Sequence, residues 1–161
     1  MRVVHPFEPI YDQNSEILIL GSFPSVKSRE QEFYYAHPQN RFWKVLEAIY
    51  PSKFPLNSKE NKTAFLKENH IAIWDSIHEC EIENSQDASI KNAIPNDIQK
   101  ILQESNIQKI FCNGNASYQV FQKYHKDFVS IPVEALPSTS PANARFSLEK
   151  LVEIWKEKLK S

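Results

Sequence analysis

Short apolar runs that stop at a polar residue or a glycine, each followed by a stretch with helical spacing, constrain this chain more than any other feature. Residues 16–20 (EILIL), 70–75 (HIAIWD), 107–112 (IQKIFC) and 128–136 are such runs, and they read as strands buried on both faces. Between and after them lie helical patterns. One begins at Asn40 and carries Phe42, Trp43, Leu46, Ile49 and Tyr50 before Pro51; others cover 63–69, 94–104 with Asn92 and Pro95 as cap signals, and 116–124. The last places Leu148, Leu151, Val152, Trp155 and Leu159 on one stripe. The polar stretch 79–92 reads as a loop. Strands alternating with helices predict an α/β protein with a parallel sheet covered on both faces. Ligands of such sheets sit beyond the carboxyl ends of the strands, which selects 21–25, 75–77, 113–115 and 137–144 as the site-forming loops. Glycine occurs only twice, at Gly21 and Gly114, each directly after an expected strand, where the backbone turns sharply or something approaches it closely.

Bulk properties narrow the function classes. A chain of 161 residues without repeat or linker is expected to form one domain, 1–161. No stretch approaches the roughly 20 apolar residues of a bilayer span, and the N-terminus shows no targeting pattern, so a cytoplasmic protein is expected. Cys80 and Cys112 are not arranged as CxxC and cannot by themselves form a thiolate zinc site or hold an iron-sulfur cluster. No dinucleotide fingerprint or P-loop is present. These features lead to an expectation of no metal and no cofactor. The net charge of -1 does not announce a nucleic-acid binder, although loops and helix N-termini can hold a few phosphates without a basic excess.

Two segments carry the chemistry. Residues 21–43 (GSFPSVKSREQEFYYAHPQNRFW) concentrate aromatic, amide and cationic side chains in a strand-to-helix connection, where a merely structural loop would be small and polar. Residues 136–144 (LPSTSPANA) form a second loop, rich in hydroxyl groups and stiffened by Pro137 and Pro141. GSFPS, FYYAHPQNRFWKVL and LPSTSPANA together resemble the paired motifs of the uracil-DNA glycosylase superfamily. AHPQNRFWKVL is similar to the mismatch-specific uracil-DNA glycosylases, and FYY and LPSTSPANA to the hypoxanthine-DNA (deoxyinosine) glycosylase branch. The motifs occur in the same order from the first strand to the last helix.

The resemblance implies a three-layer α/β/α sandwich around a four-stranded parallel sheet. It also implies a monomeric, monofunctional, cofactor-free enzyme that excises a deaminated base, hypoxanthine first, from DNA in base excision repair. A base flipped out of the duplex needs a receiving slot. Tyr35 occupies the family's stacking position, with Phe23 as a second wall. Ser22, Phe23, Pro24, His37 and Asn113 are expected to surround the base edge, and His37 has a supporting donor role. Asn40 is the expected water-positioning residue, with capping of the following helix as its structural alternative and Asp75 as the rival base. Ser25, Arg41, Ser138, Thr139, Ser140, Pro141, Ala142, Asn143 and Arg145 are expected to grip the DNA, with Pro141, Ala142 and Asn143 entering the gap left by the base.

The chain departs from the family pattern twice. Phe23 stands where many members carry a polar Asn or Asp, which argues against efficient uracil excision and agrees with the hypoxanthine branch. Ala36 stands where Gly is typical, adding a methyl beside Tyr35. Three alternatives stay open: a uracil or broad deaminated-base glycosylase, a catalytically silent lesion binder, and a hydrolase of free nucleosides. The other histidines, His5, His70, His78 and His125, lack metal-ligand spacing and read as structural or exposed.

Overall fold

The computed structural model describes residues 1–83 and 89–160. After a short first strand, β1 (Arg2–Val4), come the strands of the main sheet: β2 (Ile17–Gly21), β3 (Ile71–Asp75), β6 (Lys109–Asn113) and β7 (Val133–Leu136). All neighbours are parallel, in the order β3-β2-β6-β7. The chain moves outward from β2 to β3, then returns to the other side of β2 for β6. That reversal leaves a crevice above the carboxyl ends of β2 and β6.

Side chains alternate along each strand, and the alternation builds two cores. Ile19, Ile71, Ile73 and Phe111 face helices α2 (Phe42–Ile49), α3 (Lys59–Glu68) and α6 (Leu148–Leu159), which contribute Phe42, Leu46, Phe65, Leu66, Leu151 and Trp155. Leu18, Leu20, Ala72, Ile110 and Cys112 face helices α4 (Ile98–Gln103) and α5 (Asn115–His125), which contribute Ile98, Ile101 and Phe121. Burying a large side chain of this kind stabilises by about 1.5–3 kcal/mol, so the helices of both layers are held to the sheet mainly by apolar contact. The three-layer arrangement and the four-stranded parallel sheet are those the sequence led us to expect.

The differences lie outside that frame. The stretch 79–92, expected as a loop, contains parts of β4 (Ile77–Glu81) and β5 (Lys91–Pro95), which pair antiparallel and with β1 form a second sheet in the order β1-β4-β5; its residues 84–88 lie outside the described residues. Ile77, Cys80 and Ile82 bury one side of that sheet beneath Phe23, with Val3 and Ala93 packed against them, while Val4 and Ile94 are exposed. The helix expected over 94–104 begins only at Ile98. Pro95 ends β5, and Asp97 rather than Asn92 supplies the cap, accepting from the Lys100 N–H at 3.2 Å. The fourth strand is shorter than the expected 128–136: a 3-10 turn covers Lys126–Phe128 and leaves Phe128 exposed. Helix α3 starts earlier than expected, at Lys59, capped by Ser58. A short helix not anticipated from the sequence, α1 (Val26–Gln31), is capped by Ser25 and ended by Glu32 in the left-handed region.

At the end of α5, His125 is buried against Phe121 and donates from Nε2 to the Ser76 carbonyl at 2.8 Å. Burial holds its pKa below the ordinary imidazole value despite that bond and the nearby Asp97. The unfolded chain therefore binds this proton at a higher pH than the folded one. The stability it contributes is complete above the ordinary imidazole pKa and declines as pH falls towards the lowered folded value. Unfolding titrations between neutral and mildly acidic pH are expected to show stability falling with pH, and His125→Gln is expected to remove about one proton's worth of that dependence.

Candidate active site

The crevice above β2 and β6 is a cavity of about 180 Å³. It draws on every expected loop: Gly21, Ser22, Phe23, Pro24 and Ser25 after β2, Tyr35 and Asn40 before α2, Asp75 at the end of β3, Asn113 at the end of β6, and Ser138, Thr139 and Ser140 after β7. The segments around 21–41 and 137–145 thus meet at one edge of the sheet. Ser28, Tyr34 and Ser117 also line the cavity and were not singled out in the sequence. Ser28 lies in the short VKSREQ helix, whose one apolar residue, Val26, sets no amphipathic pattern, and Ser117, in the first turn of α5, donates its hydroxyl to the Leu20 carbonyl at 2.9 Å.

Tyr35 forms one wall. Its ring stacks on Phe42 at 3.9 Å between centroids and 17° between planes, and its backbone is left-handed at φ 52°, a conformation that costs about 1–2 kcal/mol for a residue with a side chain. The next peptide is anchored by the Ala36 N–H, which donates to Ser28 Oγ at 3.1 Å; Ser28 in turn pairs with Ser25. Phe23 forms another wall, with the Arg29 guanidinium 5.7 Å from its ring centre.

Thr139 ties the two loops together. Fully buried, it donates from Oγ1 to Asn40 Oδ1 at 2.8 Å and accepts from Asn113 Nδ2 at 3.0 Å. Its N–H donates to Asn113 Oδ1 at 3.0 Å, and its carbonyl accepts from the Arg41 N–H at 3.1 Å. Asn40 Oδ1 accepts a second bond, from the Phe42 N–H at 2.9 Å. Both lone pairs of that oxygen are therefore in use, and the Asn40 amide turns its Nδ2 donors elsewhere. Asn40 is not the cap that the sequence offered as its alternative role: α2 begins at Phe42 with Arg41 in the cap position and no side-chain capping bond, and Asn40, one residue further out, accepts from the first helical N–H while lining the cavity.

Several expected DNA contacts have different partners in the fold. The Arg41 guanidinium donates to the carbonyls of Ser140 at 3.0 Å, Asn143 at 3.1 Å and Phe146, pinning the loop from inside. Asn143 Nδ2 donates to the Ser138 carbonyl at 3.0 Å, and the hydroxyls of Ser138 and Ser140 accept from the N–H groups of Ser140 and Ala142. Pro141, Ala142 and Arg145 are exposed at the tip. His37 does not line the cavity; its Nδ1 accepts from the Gln39 N–H at 3.1 Å in the turn before α2.

Asp75 is the one carboxylate among the described lining residues. It is 4% exposed, with Oδ2 2.7 Å from His5 Nε2. A Cβ on Gly21 would fall inside van der Waals contact with Asp75 Oδ1, so a glycine at 21 is what lets the carboxylate reach the cavity. Gly114, at φ 102°, lies against Ser138 in the same way and keeps the second loop close to the end of β6.

A cavity lined by aromatic rings, one buried carboxylate, amides and hydroxyls at the carboxyl ends of a doubly wound sheet is placed as the active site of an α/β enzyme would be. The family model described as the uracil DNA glycosylase superfamily matches residues 8–159, and the chain belongs to that superfamily. It is 33% identical to a Methanosarcina barkeri protein named hypoxanthine DNA glycosylase, over 96% of each chain, and 31% identical to one of the same name from Methanosarcina acetivorans, over 88% of this chain and 89% of the other. The solution NMR structure of a candidate uracil DNA glycosylase from Methanosarcina acetivorans superimposes with a TM-score of 0.79 at 29% identity over 98% of both chains.

Thr139→Val retains the volume but leaves the Asn40 and Asn113 amides without their shared hydroxyl. A loss of about 1–3 kcal/mol in denaturant unfolding is expected, with base excision falling more steeply than stability.

Proposed function

We propose that this chain is a monofunctional DNA glycosylase that hydrolyses the bond between deoxyribose and a deaminated base, with hypoxanthine as the preferred base. The observation that carries the proposal is the Thr139 to Asn40 hydrogen bond, which joins the two motif loops across a cavity that also holds the Tyr35 ring and the Asp75 carboxylate. The names of the two Methanosarcina relatives favour hypoxanthine within the class. On this reading the chain is a one-domain monomer and a cytoplasmic enzyme of base excision repair.

The base enters the slot after leaving the duplex stack, at a cost of a few kcal/mol that is smaller for a mispaired base. Stacking on Tyr35 offsets ~1–3 kcal/mol of it. The exposed Pro141 and Ala142 tip fills the vacated space, and Arg145 lies beside the backbone. Pinned from within by Arg41, the loop is ordered before DNA arrives, which lowers the cost of binding. The carbonyl oxygen of hypoxanthine can accept from the Asn40 and Asn113 amide donors; the amino group of adenine in the same place would set donor against donor.

In the reaction the C1′–N bond breaks and its electron pair leaves with the base, while water adds to C1′ and gives up a proton. Negative charge grows on the base, where amide donors stabilise it. With Asn40 Oδ1 already filled by Phe42 and Thr139, we assign Asn40 to donation through Nδ2 and Asp75 to accepting the proton of the water. This modifies the expectation that Asn40 positions the water itself.

Duplexes bearing a single inosine, uracil or xanthine, incubated with the protein and scored for abasic sites, test the substrate; the expected order puts inosine first, and release of uracil without hypoxanthine would refute the preference. Asn40→Ala and Asn40→Asp are both expected to lower single-turnover excision about 10²–10³-fold while retaining lesion binding. An active Asn40→Asp enzyme would return the water to Asn40, because Asp keeps the acceptor and loses the donor.

A further inference from the structure

We infer that His5, a residue of the N-terminal segment outside both motifs, is a positioning residue for catalysis: it holds one oxygen of Asp75 so that the other faces the attacking water. The inference deepens the glycosylase reading and rests on it. The contact joins residues far apart in sequence, with His5 Nε2 2.7 Å from Asp75 Oδ2 and the two side chains only 2% and 6% exposed. His5 is itself fixed. Its N–H donates to the His78 carbonyl at 2.7 Å, and its ring packs edge-on against Phe7 at 4.5 Å and Phe23 at 6.0 Å.

The tautomer follows from the other ring nitrogen. His5 Nδ1 accepts from the Phe7 N–H at 3.4 Å, which leaves the ring proton on Nε2, directed at the carboxylate. Asp75 Oδ1 accepts no hydrogen bond from the described residues, and Gly21 clears the space beside it. The carboxylate of this cavity-lining residue therefore has Oδ2 clamped by His5 and Oδ1 seated in the space that a side chain at Gly21 would take; on this inference Oδ1 faces the water. A fold seeking only stability gains little from a buried carboxylate held by a single donor, since well-packed apolar side chains serve as well or better. An unclamped oxygen in a fixed direction is what a water-orienting base requires. On this assignment the water gives its proton to Asp75 Oδ1 as its oxygen bonds to C1′, and His5 keeps the carboxylate from rotating away.

The test compares single-turnover excision and affinity for an inosine-containing duplex in wild type, His5→Ala, His5→Phe, His5→Gln and Asp75→Asn, and in the double variant His5→Phe with Asp75→Asn. Circular dichroism and thermal melting confirm the fold of each. His5→Phe keeps an aromatic ring among Phe7 and Phe23 but has no donor; it is expected to lower the rate about 10²-fold with affinity unchanged. His5→Ala should lose as much, and His5→Gln, which carries an amide donor, should recover much of the loss. In the Asp75→Asn background, the His5→Phe change should cost little more. Excision by folded His5→Phe at the wild-type rate would overturn the inference, as would a full additional loss in the double variant. Failure of the wild-type protein to release any base would instead remove the glycosylase reading, and this inference with it.

Discussion

The site depends on one buried hydroxyl. Thr139 lies where the loop after β7 crosses both the end of β6 and the start of α2, and its short side chain and peptide group bind Asn40, Asn113 and the Arg41 backbone together. Inside a protein such bonds are stronger than in water, and leaving one partner unpaired costs more than the bond itself contributes. The two motif loops therefore do not move independently. Whatever fixes the loop after β7 also fixes the Asn40 amide, so in the proposed function gripping and cleaving belong to one unit.

Arg41 extends that coupling outward. In a chain of net charge -1, a guanidinium beside a DNA-facing loop would naturally be assigned to a phosphate, yet its Nη atoms donate to three loop carbonyls. In the proposed function its contribution is thus order in the loop rather than direct charge neutralisation. The proline residues, the Asn143 clamp and the two serine turns act in the same direction. A loop already shaped needs fewer phosphate contacts to reach a given affinity, which reconciles DNA as the substrate with a nearly neutral protein.

How much was legible in the sequence follows from where the signal resides. The parallel strands are buried on both faces, so they appear as uninterrupted apolar runs such as ILIL and IAIW, and the helices of both layers repeat at helical spacing. The antiparallel strands are short and half solvated; β5 reads KNAIP, with its pairing set by β4 rather than by its own composition, and nothing local distinguishes it from a loop. The same divide runs through the site. Tyr35, Asn40 and the serines of LPSTSPANA could be named because they stand in contiguous motifs at strand ends. The inward turn of the Thr139 hydroxyl, the carbonyl partners of Arg41 and the reach of His5 to Asp75 arise only when distant segments pack, and no spacing rule encodes them.

His5 and Gly21 together change the meaning of the Phe23 departure. A polar residue at 23 would supply an acceptor from the first motif, and Phe23 instead lends its ring to the cavity wall and to the small core formed with Ile77, Cys80 and Ile82. The acceptor in the cavity is then the Asp75 carboxylate, brought in from β3 over a glycine and steadied by a histidine against which Phe23 itself packs edge-on. On the proposed assignment, Phe23→Asn would add a second acceptor while removing a ring against which His5 packs, and so would loosen the contact that steadies Asp75.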